Sequence, residues 1–97
     1  MSKLKIASSN HSNVVFLAQC FSQVRGQRQW EKVLHDLLTP AEQEALADRI
    51  KIVARLFQGQ PQRTIARELK VSLFLVTHAA KILKQEVGGL TQLLLKG

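Results

Sequence analysis

Ninety-seven residues, 45% of them apolar, make one domain or one protomer of a larger assembly, too short for a two-domain enzyme and too apolar for a disordered chain. Fourteen Lys and Arg against seven Asp and Glu leave a net charge of +7, which points to a polyanionic partner, nucleic acid before membrane. A chain of this length buries a modest core by itself, so an oligomer is expected. The charge is unevenly placed. Residues 1–26 carry Lys3, Lys5 and Arg25 and no acid; residues 27–58 hold five bases and five acids; residues 59–97 hold six bases against two acids. The apolar runs Val14–Ala18 and Leu73–Val76 are far too short to span a bilayer. Lys3 and Lys5 are followed by polar Ser8-Ser9-Asn10, not by the apolar region of a signal peptide. Cys20 is the single cysteine, so no disulfide framework is expected and the reading is cytoplasmic.

In chain order, residues 1–10 read as a flexible basic arm, and residues 11–97 as a single all-helical domain. Asn13 is placed to cap a first helix, with Val14, Leu17, Ala18, Phe21 and Val24 at helical spacing and Gly26 at its end. A second helix is predicted from about Gln27 to Leu37, with Trp30, Val33, Leu34 and Leu37 on one face. The third has the clearest start. Thr39-Pro40-Ala41-Glu42 supplies an N-cap hydroxyl, a proline at the first helical position and a glutamate three residues past the cap. Leu46, Ile50, Val53 and Phe57 follow on one face, and Gly59 is placed as a left-handed stop. Acids Glu42, Glu44 and Asp48 in its first half and bases Lys51 and Arg55 in its second match the helix dipole. Two shorter helices and a last one at about Leu90–Leu95 complete the chain. Strict alternation is absent outside very short stretches, so the fold class is all-α.

The segment from Gln62 to Leu83 reads QRTIARELKVSLFLVTHAAKIL. Two helices joined by a short turn and packed at a wide angle need apolar or small residues at fixed places. Ile65, Ala66 and Leu69 supply the first helix, Val71 the turn, and Val76, Ala79 and Leu83 the second. Ser72 is a good N-cap for the second helix. This is the spacing of a helix-turn-helix over about 62–84, in which the second helix enters the major groove of duplex DNA. Lys70 stands where the turn often carries glycine. Arg63, Arg67, Lys70, Lys81 and Lys84 against Glu68 make the motif basic, and each base that neutralises a phosphate adds affinity without sequence information. The outer face of the second helix should offer Ser72, Leu73, Phe74, Thr77, His78 and Lys81. Thr77, His78 and Lys81 can bond base edges or phosphates, while Leu73 and Phe74 can meet thymine methyl groups or pack on a partner.

Catalysis finds no support. Cys20 has no histidine at useful spacing and reads as core. His35 and Asp36 are adjacent, so on a helix they point about 100° apart and form no dyad. Three scattered histidines and one cysteine give no metal spacing. There is no glycine-rich phosphate loop. Phe21 and Trp30 read as core or dimer residues, and Glu42 and Glu44 as capping and dipole residues. The chain is not read as an enzyme.

The stretch LTPAEQEALADRIKIVARLFQG, followed by QR, REL, VT and IL, resembles the tryptophan repressor family over Leu38–Lys84, about half the chain. The resemblance implies a six-helix, intertwined homodimer that places two helix-turn-helix units in successive major grooves of a palindromic operator. It implies L-tryptophan as corepressor, bound between the third helix and the recognition helix. Thr39 and Arg49 match positions near that ligand, with the Arg49 guanidinium against the indole ring. His78 stands where the family carries a second ligand arginine, Ala79 where it has glycine, and Ile82 where it has a ligand-contacting serine. A neutral imidazole can stack on an indole but is a poor counter-ion for a carboxylate. Gln62 and Arg63 fall where the family holds phosphates, and Thr77 where it reads bases. Two alternatives stay open: a regulator that needs no small-molecule effector, and a protein-interaction module built on Leu73-Phe74-Leu75.

Overall fold

The computed structural model describes residues 12–96; the basic arm at residues 1–10 lies outside them. Among the described residues the chain is all-α: α1 (Asn13–Phe21), α2 (Gly26–Leu37), α3 (Pro40–Phe57), α4 (Gln62–Leu69), α5 (Leu73–Gln85) and α6 (Gly89–Lys96). The chain groups into two compact units that part between Thr39 and Pro40. Leu38 closes α2 in extended conformation, at φ −110° and ψ 140°, and Pro40, two residues on, opens α3.

In the first unit, the cap of α1 lies one residue earlier than the sequence suggests. Ser12, not Asn13, is the N-cap, and its Oγ accepts the Val15 N–H at 3.2 Å. The helix also stops at Phe21, well before Gly26. There the Ser22 hydroxyl donates to the Gln19 carbonyl at 2.7 Å, and the Gln23 and Val24 N–H groups bond the carbonyls of Cys20 and Phe21. These local bonds satisfy the end of the helix and turn the chain. Gly26, with φ +77°, begins α2 rather than ending α1. Gln29 reaches back to accept the Arg25 N–H at 2.5 Å and supplies the bond that the cap residue's own side chain does not make. Phe21 and Trp30 join α1 to α2 with ring centroids 5.2 Å apart and planes tilted by 58°. Cys20, Phe21, Val24, Val33 and Leu37 line much of an open cleft of about 440 Å³, and Cys20 itself is only half-buried. His35 and Asp36 come closer than their helical spacing suggests, with Nδ1 and Oδ1 3.5 Å apart. Both side chains lean outward and are well exposed, and a contact at that length in water carries little energy.

The second unit holds the core. Ile52 and Val53 of α3, Ile65 of α4, and Val76 and Ala79 of α5 are buried together. Leu56, Ala66, Leu69, Val71, Leu75 and Leu83 pack around them, as do Leu90 and Leu94 of α6. All seven apolar positions that the sequence assigned to the helical pair therefore belong to this cluster. Val53 is buried, but Leu46, Ile50 and Phe57 are exposed, and the inward side is Ile52, Val53 and Leu56. The sequence shows two overlapping apolar rows on α3; α4 and α5 take one of them. The third helix ends as expected. Gly59 has φ +82°, its N–H bonds the Leu56 carbonyl, and the Gln60 N–H bonds the Arg55 carbonyl, the paired bonds of a Schellman stop.

The last helix is tied on by a carboxylate. Glu86 precedes α6 and accepts the Thr91 N–H at 3.2 Å, while the Thr91 hydroxyl donates to its other oxygen. The Thr91 hydroxyl, opposed in part by desolvation and aided by the N–H groups of Thr91, Leu90 and Gly88, holds the Glu86 carboxyl below its ordinary value of 4.5. A lowered folded-state pKa means that this contribution to stability is complete above the ordinary value and disappears as pH falls through the lowered one. Acid unfolding of the wild type should therefore show a loss of stability in that range that Glu86→Gln lacks, measured as denaturant midpoint against pH.

Candidate nucleic-acid interface

The α4–turn–α5 unit is built by local rules. Pro61 precedes α4 as its N-cap in extended conformation, and its missing N–H costs nothing at a helix start. Ser72 caps α5 through its Oγ, which accepts the Leu75 N–H at 3.1 Å, a bond worth about 1 kcal/mol. Between them Lys70 sits in the left-handed region, at φ 59° and ψ 44°, and is the one non-glycine residue with positive φ among those described. The Val71 N–H then bonds the Ala66 carbonyl at 3.0 Å and turns Val71 into the core. Here the sequence departs from the glycine that the geometry prefers, and the lysine carries a conformational penalty. Lys70→Gly is expected to stabilise the chain by about 0.5–1 kcal/mol, because relief of strain outweighs the added freedom of the unfolded chain. A higher denaturant midpoint at unchanged slope is the expected observation.

With Val76 and Ala79 buried and Leu75 and Leu83 packed inward, α5 turns its other side to solvent. Ser72, Leu73, Phe74, Thr77, His78 and Lys81 are all exposed, as the periodicity suggests. Phe74 is 79% exposed. Its ring lies nearly parallel to that of His78, one turn on, with centroids 6.3 Å apart and planes at 13°. The Leu73-Phe74-Leu75 triplet does not form one surface, since Leu75 belongs to the packed side.

Two further contacts set the frame. The Thr77 hydroxyl donates to Oε1 of Gln62 at 3.0 Å, linking α5 to the first turn of α4. Arg55, near the end of α3, donates to Glu68 of α4 at 2.6 Å and to Gln60 at 3.3 Å. This ion pair draws the one acid of the motif back toward α3. Arg63, Arg67, Lys70, Lys81 and Lys84 are exposed. From sequence Arg55 reads only as a base matching the helix dipole; its pairing with Glu68 and the Gln62–Thr77 bond span 13 and 15 residues, and no local spacing signals either.

The ligand candidates are less concentrated. Arg49 is exposed on α3 and His78 on α5, two helices that pack against each other. Thr39 is exposed and belongs to the other compact unit. The His78 ring is engaged with Phe74 along its own helix. Among the described residues no cluster of His, Cys, Asp and Glu could hold a metal ion, and no helix is long and apolar enough to cross a membrane.

Comparison with known proteins gives consistent matches. A family model described as Trp repressor protein matches residues 12–96. A Trp operon repressor homolog of Vibrio cholerae is 40% identical over 74 residues, covering 71% of this chain and 72% of that protein. A Trp operon repressor homolog of Vibrio vulnificus is 39% identical over 59 residues, covering 60% of this chain and 58% of its own length. No solved structure matches the chain.

Proposed function

This chain belongs to the Trp repressor protein family, a family of transcription regulators and not of enzymes, and on that premise we propose that it represses transcription by binding a palindromic operator in duplex DNA as a homodimer. The observation that carries the reading is the two-sided character of α5. Its buried side anchors it to α3 and α4, and its free side presents Ser72, Leu73, Phe74, Thr77, His78 and Lys81 together. In this reading Gln62, Arg63 and Lys81 hold phosphates, Thr77 and His78 reach base edges, and Leu73 and Phe74 meet thymine methyl groups. Ser72 keeps its hydroxyl proton for a phosphate while its lone pair caps the helix. The arm at residues 1–10 adds contacts without sequence preference.

The homodimer reading is supported by apolar surface. Leu46, Ile50 and Phe57 on α3, Val14, Leu17 and Leu37 in the first unit, and Leu93 and Leu95 on α6 are exposed in the single chain. So much large apolar side chain in contact with water favours a second copy. In that assembly the outer helices of two chains interlock, and two reading heads face the DNA from the cytoplasm.

The corepressor in this reading is L-tryptophan or a related small molecule, held by Thr39, Arg49 and His78. Selection of bound fragments from random duplex DNA, with and without L-tryptophan, tests both parts. A palindrome enriched only with tryptophan supports ligand control. Enrichment in both conditions leaves a regulator that needs no effector. No enrichment in either condition, at low salt, removes the DNA reading. The exposure of Leu73 and Phe74 favours a second reading, docking of another protein on α5, but the inward turn of Leu75 leaves it a smaller apolar patch than the sequence suggests.

A further inference from the structure

Thr77 lies on the free side of α5, yet its hydroxyl proton is already committed to Oε1 of Gln62, 3.0 Å away. A hydroxyl has one proton to donate and two lone pairs to accept with. Once the proton points back to α4, the solvent side of Thr77 offers lone-pair density and a methyl group. Gln62 spends a carbonyl lone pair in the same bond and keeps both amide hydrogens. The two side chains are thus a polarised pair, acceptor on α5 and donor on α4. Gln62 is the half-buried member, in the first turn of α4, and Thr77 the exposed one.

The base edges of the major groove sort by the same polarity. Adenine N6 and cytosine N4 are amine donors; guanine O6 and thymine O4 are keto acceptors. An acceptor set against a keto oxygen gains no bond and loses its water. Each base pair carries one such amine, so an acceptor-only side chain reads which strand holds it. On the premise that α5 enters duplex DNA as proposed above, we infer that Gln62 is a positioning residue that fixes the Thr77 hydroxyl as an acceptor and so selects adenine or cytosine over guanine or thymine at one position of each half-site. The free amide hydrogens of Gln62 are left for a phosphate oxygen, so one bond serves both affinity and sequence choice.

The test is selection from random duplex DNA with the full chain and three variants, each checked for wild-type helical content by circular dichroism. Thr77→Val identifies the position, because it removes the preference there. The wild type should favour amino bases at that position by about five- to tenfold. Gln62→Glu still accepts the Thr77 proton, so it should retain the amino preference while overall affinity falls. Gln62→Lys can only donate, turns the Thr77 proton toward the groove, and should reverse the preference to keto bases. A keto preference in the wild type, an unchanged preference in Gln62→Lys, or an enriched motif in which no position responds to Thr77→Val would each overturn the inference while leaving DNA binding intact. An absence of enrichment by the wild type at low salt would overturn the DNA reading, and this inference with it.

Discussion

Ile65→Ala should lower the unfolding free energy by about 3 kcal/mol, in the range for emptying a closed site of an isoleucine side chain. Ile65 has no exposed surface, and its neighbours in the cluster come from both sides: Ile52 and Val53 of α3, and Val76 and Ala79 of α5. Three helices meet there, so none can close the cavity without losing contact with another. The loss is a large share of the stability of a small domain, which is typically about 5–15 kcal/mol. The denaturant midpoint should fall sharply. Phe74→Ala is the control, with a change within about 0.5 kcal/mol, since the Phe74 ring is largely in water and touches mainly His78. Equal losses for the two variants would mean that the core is not where α3, α4 and α5 meet.

Arg63→Ala and Lys81→Ala should each weaken duplex binding by about ten- to hundredfold at low salt and flatten its salt dependence. Both side chains are exposed, one on α4 and one on α5. Neither has an acid within the motif to compete for it, because Glu68 is held by Arg55. Each phosphate contact contributes roughly 0.9 to the slope of log affinity against log salt. In the proposed homodimer two contacts are lost per substitution, so each slope should shrink by about 2. Arg63→Ala should weaken all sequences alike, since a phosphate contact positions the protein without reading bases. Binding isotherms at several salt concentrations measure both effects. Unchanged slopes would place the basic residues away from the DNA.

The sequence carried the fold where its signals were local. Pro40 after Thr39, Gly59 after the third helix and Ser72 before the fifth each mark a boundary through a bond or a dihedral made within a few residues. The seven apolar positions of the helical pair were legible because helical spacing leaves few ways to bury them. The first helix was misjudged at both ends for a similar reason: Ser12 and Asn13 are both good caps, and only the Val15 N–H bond chooses between them. The exposed row Leu46, Ile50 and Phe57 could not be told from the buried one beside it, since apolar spacing shows a face without showing what covers it. In the candidate interface, the exposed side of α5 was legible from period alone. The Gln62–Thr77 and Arg55–Glu68 bonds join different helices, and their meeting depends on packing that no spacing encodes.

In the proposed function α4 and α5 form a reading head for duplex DNA. Its most direct test is the affinity of the full chain for a selected duplex and for a scrambled duplex of equal length, measured from about 50 to 400 mM salt, a range over which several phosphate contacts change affinity by orders of magnitude. The prediction is a steep linear fall of log affinity with log salt for both duplexes, with the selected one bound more tightly throughout. Absence of binding at the lowest salt, or a flat line with no difference between the duplexes, would contradict it.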